Sequence, residues 1–358
     1  MGPNGDDELF INKLKMKILI NKIASVLKNV GLADEVELTD QIVSEDGAVL
    51  VAKVLEDKKI YNLLELTSGR LSTLHKGDII AVALGNRKAL KGFVGEVSKS
   101  LKVGSIINVL NLGGVAGICT SENIKEVGHA LKIEVIGAVT DGEKNLNINQ
   151  FKLFSATSDL VKSAPLIVVS GTCMNVGKTS VACEMIKNAK RKNLRIFGAK
   201  LAGVAALRDT ENMKDFGVEK AVSFIDAGLS STVGKDETVV NVAKGAIAYL
   251  SDGNPDFIVI EFGDGVYGEY GVMSILKDRQ ISSNIIAHIG CAHDPVGAVK
   301  LVEICQEIGI PVDAISGPVT DNEVGTSFVV EKTGTQAFNA LTQGKKLFDY
   351  LNEKCLKK

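Results

Sequence analysis

The chain has 358 residues, 45% hydrophobic and 23% charged, a globular balance that excludes disorder as the dominant state. Its charges divide evenly: 19 Lys and Arg against 20 Asp and Glu precede position 160, and 22 against 23 follow it. With no basic half and only 5% aromatic residues, neither a base-stacking platform nor a patch for anionic membrane is expected, so nucleic acid and membrane drop out as partners.

No run of about 18 apolar residues occurs, so no membrane span is expected. The start, MGPNGDDELF, lacks the basic and apolar regions of a secretory signal. Six scattered cysteines with no CxxC pair point to reduced thiols in a cytoplasmic protein, not to a zinc site or a disulfide framework.

In chain order, residues 1–12 read as frayed, and 13–30 mix helical and strand spacing without deciding between them. From about 47, short apolar runs are cut by glycine-containing turns. They predict strands at 48–55, 62–67, 78–84, 91–97, 105–112, 115–121 and 132–139. The pattern is that of a smaller β-rich, barrel-like domain over 1–150, a meander of hairpins. HKGDIIAVALGN (75–86) echoes KVGSIINVLNLGG (102–114), which suggests a duplicated β-unit. The glycine-rich run Asn111–Gly117 has no helix pattern after it and reads as a β-turn. His75 and His129 lie near turns and are expected to be exposed.

Residues 151–165 read as a linker. Apolar strands at 166–171, 195–201, 257–263, 285–290 and 311–317 then alternate with helices near 178–192, 209–226, 236–251 and 296–308. Strands apolar on both faces and separated by helices predict an α/β domain over 166–345, with a doubly wound, mostly parallel sheet. Residues 346–358 read as a C-terminal helix or tail.

The segment LIVVSGTCMNVGKTS (166–180) carries the chemistry. An apolar strand runs into Gly171, a loop follows, and Gly177-Lys178-Thr179-Ser180 opens a helix. Glycine lets successive N–H groups curl around an anion, and the helix N-terminus adds partial positive charge. Lys178 has the reach for β- and γ-phosphates, and the Thr179 hydroxyl is a ligand for Mg²⁺. The phosphate-binding candidates are Gly171, Thr172, Asn175, Val176, Gly177, Lys178, Thr179 and Ser180. The spacing departs from G-x-x-x-x-G-K-[ST], because Thr172 stands at the first glycine position.

With that variant spacing, SGTCMNVGKTS resembles the G-T-x-x-x-V-G-K-T loop of the dethiobiotin synthetases and the cobyrinic acid synthases. GAKLAG (198–203) resembles that group's G-x-K-P-V-x-x-G, with the proline missing and one residue fewer. FIVIEFGDG (257–265) resembles its V-E-G-A-G-G, and IPVDAI (310–315) its late strand. The run LRDTENMKDFG…FIDAGLSSTVG (207–234) is more similar to a related P-loop family of unknown function. The likeness covers about 160–340.

The resemblance implies a P-loop NTPase fold, ATP and Mg²⁺ as cofactors, and a homodimer. It implies that Lys178, Lys200 and Glu261 are the catalytic residues. Lys178 and Thr179 would hold phosphates and Mg²⁺, Glu261 would be the acidic Mg²⁺ partner, and Lys200 would face the γ-phosphate or acyl group. Asp264 is a competing or additional metal ligand. The loop carries uncharged Cys173 where the synthetases have an acidic residue.

Further candidates surround the loop. Gly203, Arg208 and Asp209, with Asp215, are substrate contacts or part of a solvated helix face. Cys291-Ala292-His293-Asp294 follows a strand and is expected on the ligand-facing rim, a Cys–His pair that is a nucleophile or metal fragment in one reading. Asp294-Pro295 is also a helix start signal.

The leading expectation is an Mg-ATP-dependent, ligase-like enzyme that activates a small carboxylate or carbamate by phosphoryl transfer. No guanine-reading N-K-x-D segment is present, which favours ATP over GTP. One alternative is a nucleotide-driven switch or assembly ATPase like the MinD/ParA relatives. Those carry an extra Lys early in the loop, and Gly171–Met174 contain none. The other is an acyltransferase whose loop grips coenzyme A.

Overall fold

Glycine turns leave the first part of the chain only short strands to pair. The computed structural model describes residues 16–356. The segment read as frayed lies outside the described residues.

Twelve strands and one short helix come first. They are β1 (Met16–Leu19), β2 (Lys22–Ile23), β3 (Glu35–Thr39), β4 (Val49–Val54), β5 (Leu63–Glu65), β6 (Leu71–Thr73), β7 (Ile79–Leu84), β8 (Arg87–Lys88), β9 (Phe93–Glu96), β10 (Ile106–Val109), β11 (Val115–Glu122), α1 (Ile124–Val127) and β12 (Leu131–Thr140). The undecided stretch before residue 30 holds β1, β2 and a 3-10 turn at Ser25–Leu27. Strands β12, β4, β7, β11 and β10 pair in a closed ring. Ring closure removes free edges and fills the interior, where Val51, Ile107 and Ile133 are wholly buried.

The ring is not the expected meander, because its sheet is mixed. β7 runs parallel to both β2 and β11. Parallel neighbours need a long connection, and here the excursion through β8, β9 and β10 supplies it. The echoed segments are also not equivalent units. β7 and β10 flank the same strand, β11, one parallel and the other antiparallel.

The remaining chain alternates β13 (Leu166–Gly171), α2 (Lys178–Lys190), β14 (Ile196–Ala202), α3 (Arg208–Asp215), β15 (Lys220–Ser223), α4 (Asp236–Ser251), β16 (Phe257–Phe262), α5 (Val272–Lys277), α6 (Arg279–Ser282), β17 (Ile285–Cys291), α7 (Pro295–Glu307), β18 (Ala314–Ser316), α8 (Glu323–Thr333), β19 (Gln336–Ala337) and α9 (Ala340–Leu351). The sheet order is β15-β14-β16-β13-β17-β18-β19, with every pairing parallel. β13, β14 and β16 are buried throughout, as a sheet covered on both faces requires.

Two sequence expectations are corrected. The helix expected at 209–226 stops at Asp215, and a strand and a 3-10 turn at Phe224–Ala227 take the rest. The break falls at Gly217, whose φ of 115° lies outside helical space. The boundary expected after 345 falls inside α9, whose Leu347, Phe348 and Leu351 are wholly buried in the core with residues of α2. Residues 151–165 form neither helix nor strand. They lie along α4, where Phe154 stacks on Tyr249 with ring centroids 5.7 Å apart.

The ring and the parallel sheet share one apolar core. Ala24, Leu27 and Leu64 belong to the same buried cluster as Ala205, Leu207 and Phe224. The contact is close at the turn between β10 and β11. A Cβ on Gly113 would lie 1.9 Å from the Ala205 carbonyl oxygen, so only glycine fits there. The Asn111 side-chain amide donates to that same oxygen at 2.5 Å. The run read as a β-turn is one, and it docks the ring onto the sheet.

Candidate functional site

The loop after β13 builds the floor of the site. Val176 is wholly buried and pins the loop from below, so it offers only backbone. Asn175 and Gly177 adopt positive φ, 61° and 87°, which turns successive N–H groups to one side. Gly177 caps α2, and Lys178 is its first residue. Lys178 is 5% exposed, and its ammonium donates to the Cys173 carbonyl at 2.7 Å. Burial, with the charge of Lys200, holds it below its ordinary value. No carboxylate pairs with it among the described residues. A buried cation without a counter-charge is stabilised by an anionic ligand.

Lys200, on β14, lies between two carboxylates. Its Nζ is 2.8 Å from Glu261 Oε1 and 2.8 Å from Asp209 Oδ2. Burial alone would depress the ammonium, but Asp209 and Glu261 together raise it above its ordinary value. The two acids differ. Burial pushes Glu261 above the usual carboxylate range, and nearby Asp209 adds to that. Burial also acts on Asp209, but Lys200 outweighs it and holds Asp209 low. The Thr179 hydroxyl donates to Glu261 Oε1 at 2.7 Å and lies 3.4 Å from Asp209 Oδ1.

One atom in this corner is unsatisfied. Glu261 Oε2 is buried and makes no hydrogen bond. With the Thr179 hydroxyl and Asp209 it forms a set of hard oxygens. Among the described residues no three His, Cys, Asp or Glu converge on a point. The set fits Mg²⁺, which takes one or two carboxylates and completes its shell with phosphate and water.

Asp264, in the turn after β16, has a left-handed φ of 59°. Burial raises its carboxyl, while hydrogen bonds from the Gly265 and Met174 backbone oppose the rise. It thereby fastens the phosphate loop to the turn after β16.

A cavity of about 550 Å³ opens above this floor. Asn175, Gly177, Lys178, Thr179 and Ser180 line it, as do Lys200, Gly203, Arg208, Asp209, Glu261 and Asp264. Gly171 closes β13 below, and Thr172 faces a second depression on the other side of the loop.

The rim residues expected to contact substrate do not line this cavity. Asp294 caps α7, accepting from the Gly297 N–H at 3.0 Å, and His293 is exposed. Cys291 is wholly buried with its thiol pushed up to about 12 by burial, which excludes a nucleophile. Asp215 is exposed at the end of α3.

Sequence reasoning missed the roof. Tyr61, Arg87, Lys91, Asn111, Leu112 and Glu126, all from the first part of the chain, line the cavity opposite the loop. The turn between β8 and β9 reaches the loop, its Lys91 N–H 3.4 Å from Met174 Sδ. The short hairpin of β5 and β6 sets α3. The buried Glu65 carboxylate accepts the backbone N–H groups of Leu207 at 2.7 Å and Arg208 at 2.8 Å. That caps α3 from outside and thereby aims Asp209. Only the turn-forming Asn111 gave any sequence signal.

The parallel sheet and the strand–loop–helix at Gly177 define a P-loop α/β protein. No family model matches the sequence. No curated protein matches it either. Among solved structures, a DUF1611 family protein from Anabaena variabilis is similar at 13% identity and a TM-score of 0.41, over 60% of this chain and 66% of that one. FtsY of Thermotoga maritima is similar at 17% identity and a TM-score of 0.38, over 59% of this chain and 78% of that one. The hydrogenase maturation factor HypB of Archaeoglobus fulgidus is similar at 17% identity and a TM-score of 0.36, over 53% and 89%. Among the described residues no helix is long and apolar enough to cross a membrane.

Proposed function

We propose that this protein is an Mg-ATP-dependent enzyme that activates a small carboxylate or carbamate by phosphoryl transfer. The observation that carries the reading is Lys200. Its ammonium is held between Asp209 and Glu261 beside Thr179, on the floor of a cavity that residues of the first part of the chain roof. An enzyme with a second substrate needs room beside the phosphates, and a cavity of about 550 Å³ lined from both parts of the chain is consistent with that.

The residues divide the work. Loop N–H groups and Lys178 bind the phosphates. Thr179 and Glu261 would hold Mg²⁺, which supplies charge neutralisation on the diphosphate as it leaves. Lys200 stabilises negative charge developing on the transferred group. A substrate carboxylate oxygen bonds to the γ-phosphorus while the bond from that phosphorus to the β–γ bridging oxygen breaks. The products are an acyl phosphate and ADP. The absence of an N-K-x-D segment and the loop's resemblance to the dethiobiotin synthetases both support ATP as the nucleotide.

The test is ADP release from Mg-ATP in the presence of small carboxylates, or of amines with bicarbonate. Release is expected to depend on one of these substrates and to fall at least about a hundredfold in Lys200→Met. ATP-driven dimerisation without turnover would replace this reading with a switch. Release of free coenzyme A from acetyl-CoA would replace it with an acyltransferase.

A further inference from the structure

The floor of the cavity does not balance the charge of the ligand it is built for. Lys178 and Lys200 line it against three acids, Asp209, Glu261 and Asp264. Lys200 is already engaged by Asp209 and Glu261. Loop residues 172–176 carry no charge. The phosphates of a nucleotide keep net negative charge even with Mg²⁺ bound, so further cations are needed opposite them.

Three more cations line the cavity: Arg87, Lys91 and Arg208. Arg87 is committed to its own surroundings. Its Nη1 donates to the Tyr61 hydroxyl at 2.9 Å and to the Leu110 carbonyl, and its Nε is closed off. Arg208 is exposed at the start of α3 beside Asp209, whose carboxyl it helps to hold low. Lys91 is half-buried, and no carboxylate pairs with it among the described residues. Glu126, the one acid that lines the cavity from the same side, is exposed.

A braced turn carries Lys91 onto the phosphate loop. The Lys88 N–H donates to the Tyr270 hydroxyl at 3.0 Å, and the Lys88 ammonium pairs with Glu269, both partners lying in the segment after β16. The Gly92 N–H closes the turn on the Ala89 carbonyl at 3.2 Å. The Lys91 N–H lies 3.4 Å from Met174 Sδ in the loop. The Lys91 backbone is thereby fixed beside the loop, and Lys91 lines the same cavity as Asn175, Gly177 and Lys178. A lysine ammonium on its four-carbon stem is a compact point charge that suits phosphate.

We propose that Lys91 completes the phosphate site from the roof of the cavity, its ammonium binding the phosphates of the nucleotide that the loop holds. The inference rests on reading the loop as the nucleotide site. It adds that the first part of the chain is needed to bind the nucleotide, and not only to enclose a second substrate.

Calorimetry on the full chain tests this, with Mg-ATP and with Mg-tripolyphosphate, which has the phosphates but no nucleoside. Lys91→Met is expected to weaken both about tenfold. Lys91→Arg keeps the charge and should stay within about threefold of the wild type for both. The proposal is overturned if the wild type binds Mg-ATP and Lys91→Met binds it equally well. It is also overturned if Lys91→Met weakens Mg-ATP but not Mg-tripolyphosphate, which would move Lys91 to the nucleoside. Equal losses in Lys91→Arg and Lys91→Met would overturn it too, because shape and not charge would then be what counts. A wild type that binds neither probe sinks the nucleotide reading itself, and this inference with it.

Discussion

The floor and the roof of the cavity are made in opposite ways. The phosphate-binding part of the floor comes from residues 166–180, where one strand, one loop and the first turn of α2 set the N–H groups, Lys178 and Thr179 locally. The roof gathers Tyr61, Arg87, Asn111 and Glu126 from four separated places in the first part of the chain, which only its tertiary fold brings together. A phosphate binds to backbone geometry that a short sequence encodes. A shaped substrate pocket needs side chains from many strands, so its specification is long-range.

The sharpest break in this contrast is at Lys200, where local and distant contributions meet. Lys200→Met leaves the buried Glu261 carboxylate and the partly buried Asp209 side by side without their cation. Breaking a buried ion cluster this way costs about 3–5 kcal/mol, so a large loss is expected in a urea melt. An unchanged midpoint would mean that the three charges are not coupled. Glu65 tests the roof's hold on the floor. Glu65→Ala strands the N–H groups of Leu207 and Arg208, at an expected cost of about 1–3 kcal/mol. It should also lower turnover, because Asp209 loses its fixed helix. Full turnover with lowered stability would show that α3 is aimed by the sheet alone.

The smallest expected effect is a matter of pH and lies away from the cavity. His288, on β17, is buried against Ser170, with Nε2 2.7 Å from its hydroxyl. Burial lowers its value below the usual 6.5, although the Ile310 carbonyl and Asp313 oppose that. It is therefore neutral when folded, while the unfolded chain takes up a proton below pH about 6.5. Stability should fall as pH drops through that value, by at most about 1.4 kcal/mol per unit from this residue. His288→Gln should flatten the slope between pH 5 and 6.5; an identical slope in both proteins would remove His288 as the cause.

How much could be read in advance follows the same division. Five of the seven strands of the parallel sheet were legible as largely apolar runs, whereas the short edge strands β15 and β19 were not, and the phosphate loop was legible because its residues are contiguous. The role of Asp209 was hidden, since nothing local shows that it meets Lys200. The helix expected at 209–226 failed because Gly217 ends it and a sheet edge recruits Lys220–Ser223, a tertiary effect. The barrel-like character was legible from short runs and glycine turns. The parallel pairing of β7 with β11 was not, because pairing partners leave no mark on either strand. His293 and Asp294 looked functional by position, yet the Asp294 carboxylate is taken up by capping α7.

The central claim is that the loop at Gly177 and Lys178 binds the phosphates of a nucleotide. Titration calorimetry of Mg-ATP into the wild type and Lys178→Ala tests it most directly. The wild type should bind, and the variant should bind about a hundredfold more weakly, near 2.7 kcal/mol, with no loss of thermal stability. A wild type that does not bind Mg-ATP, or a variant that binds it equally well, would contradict the account.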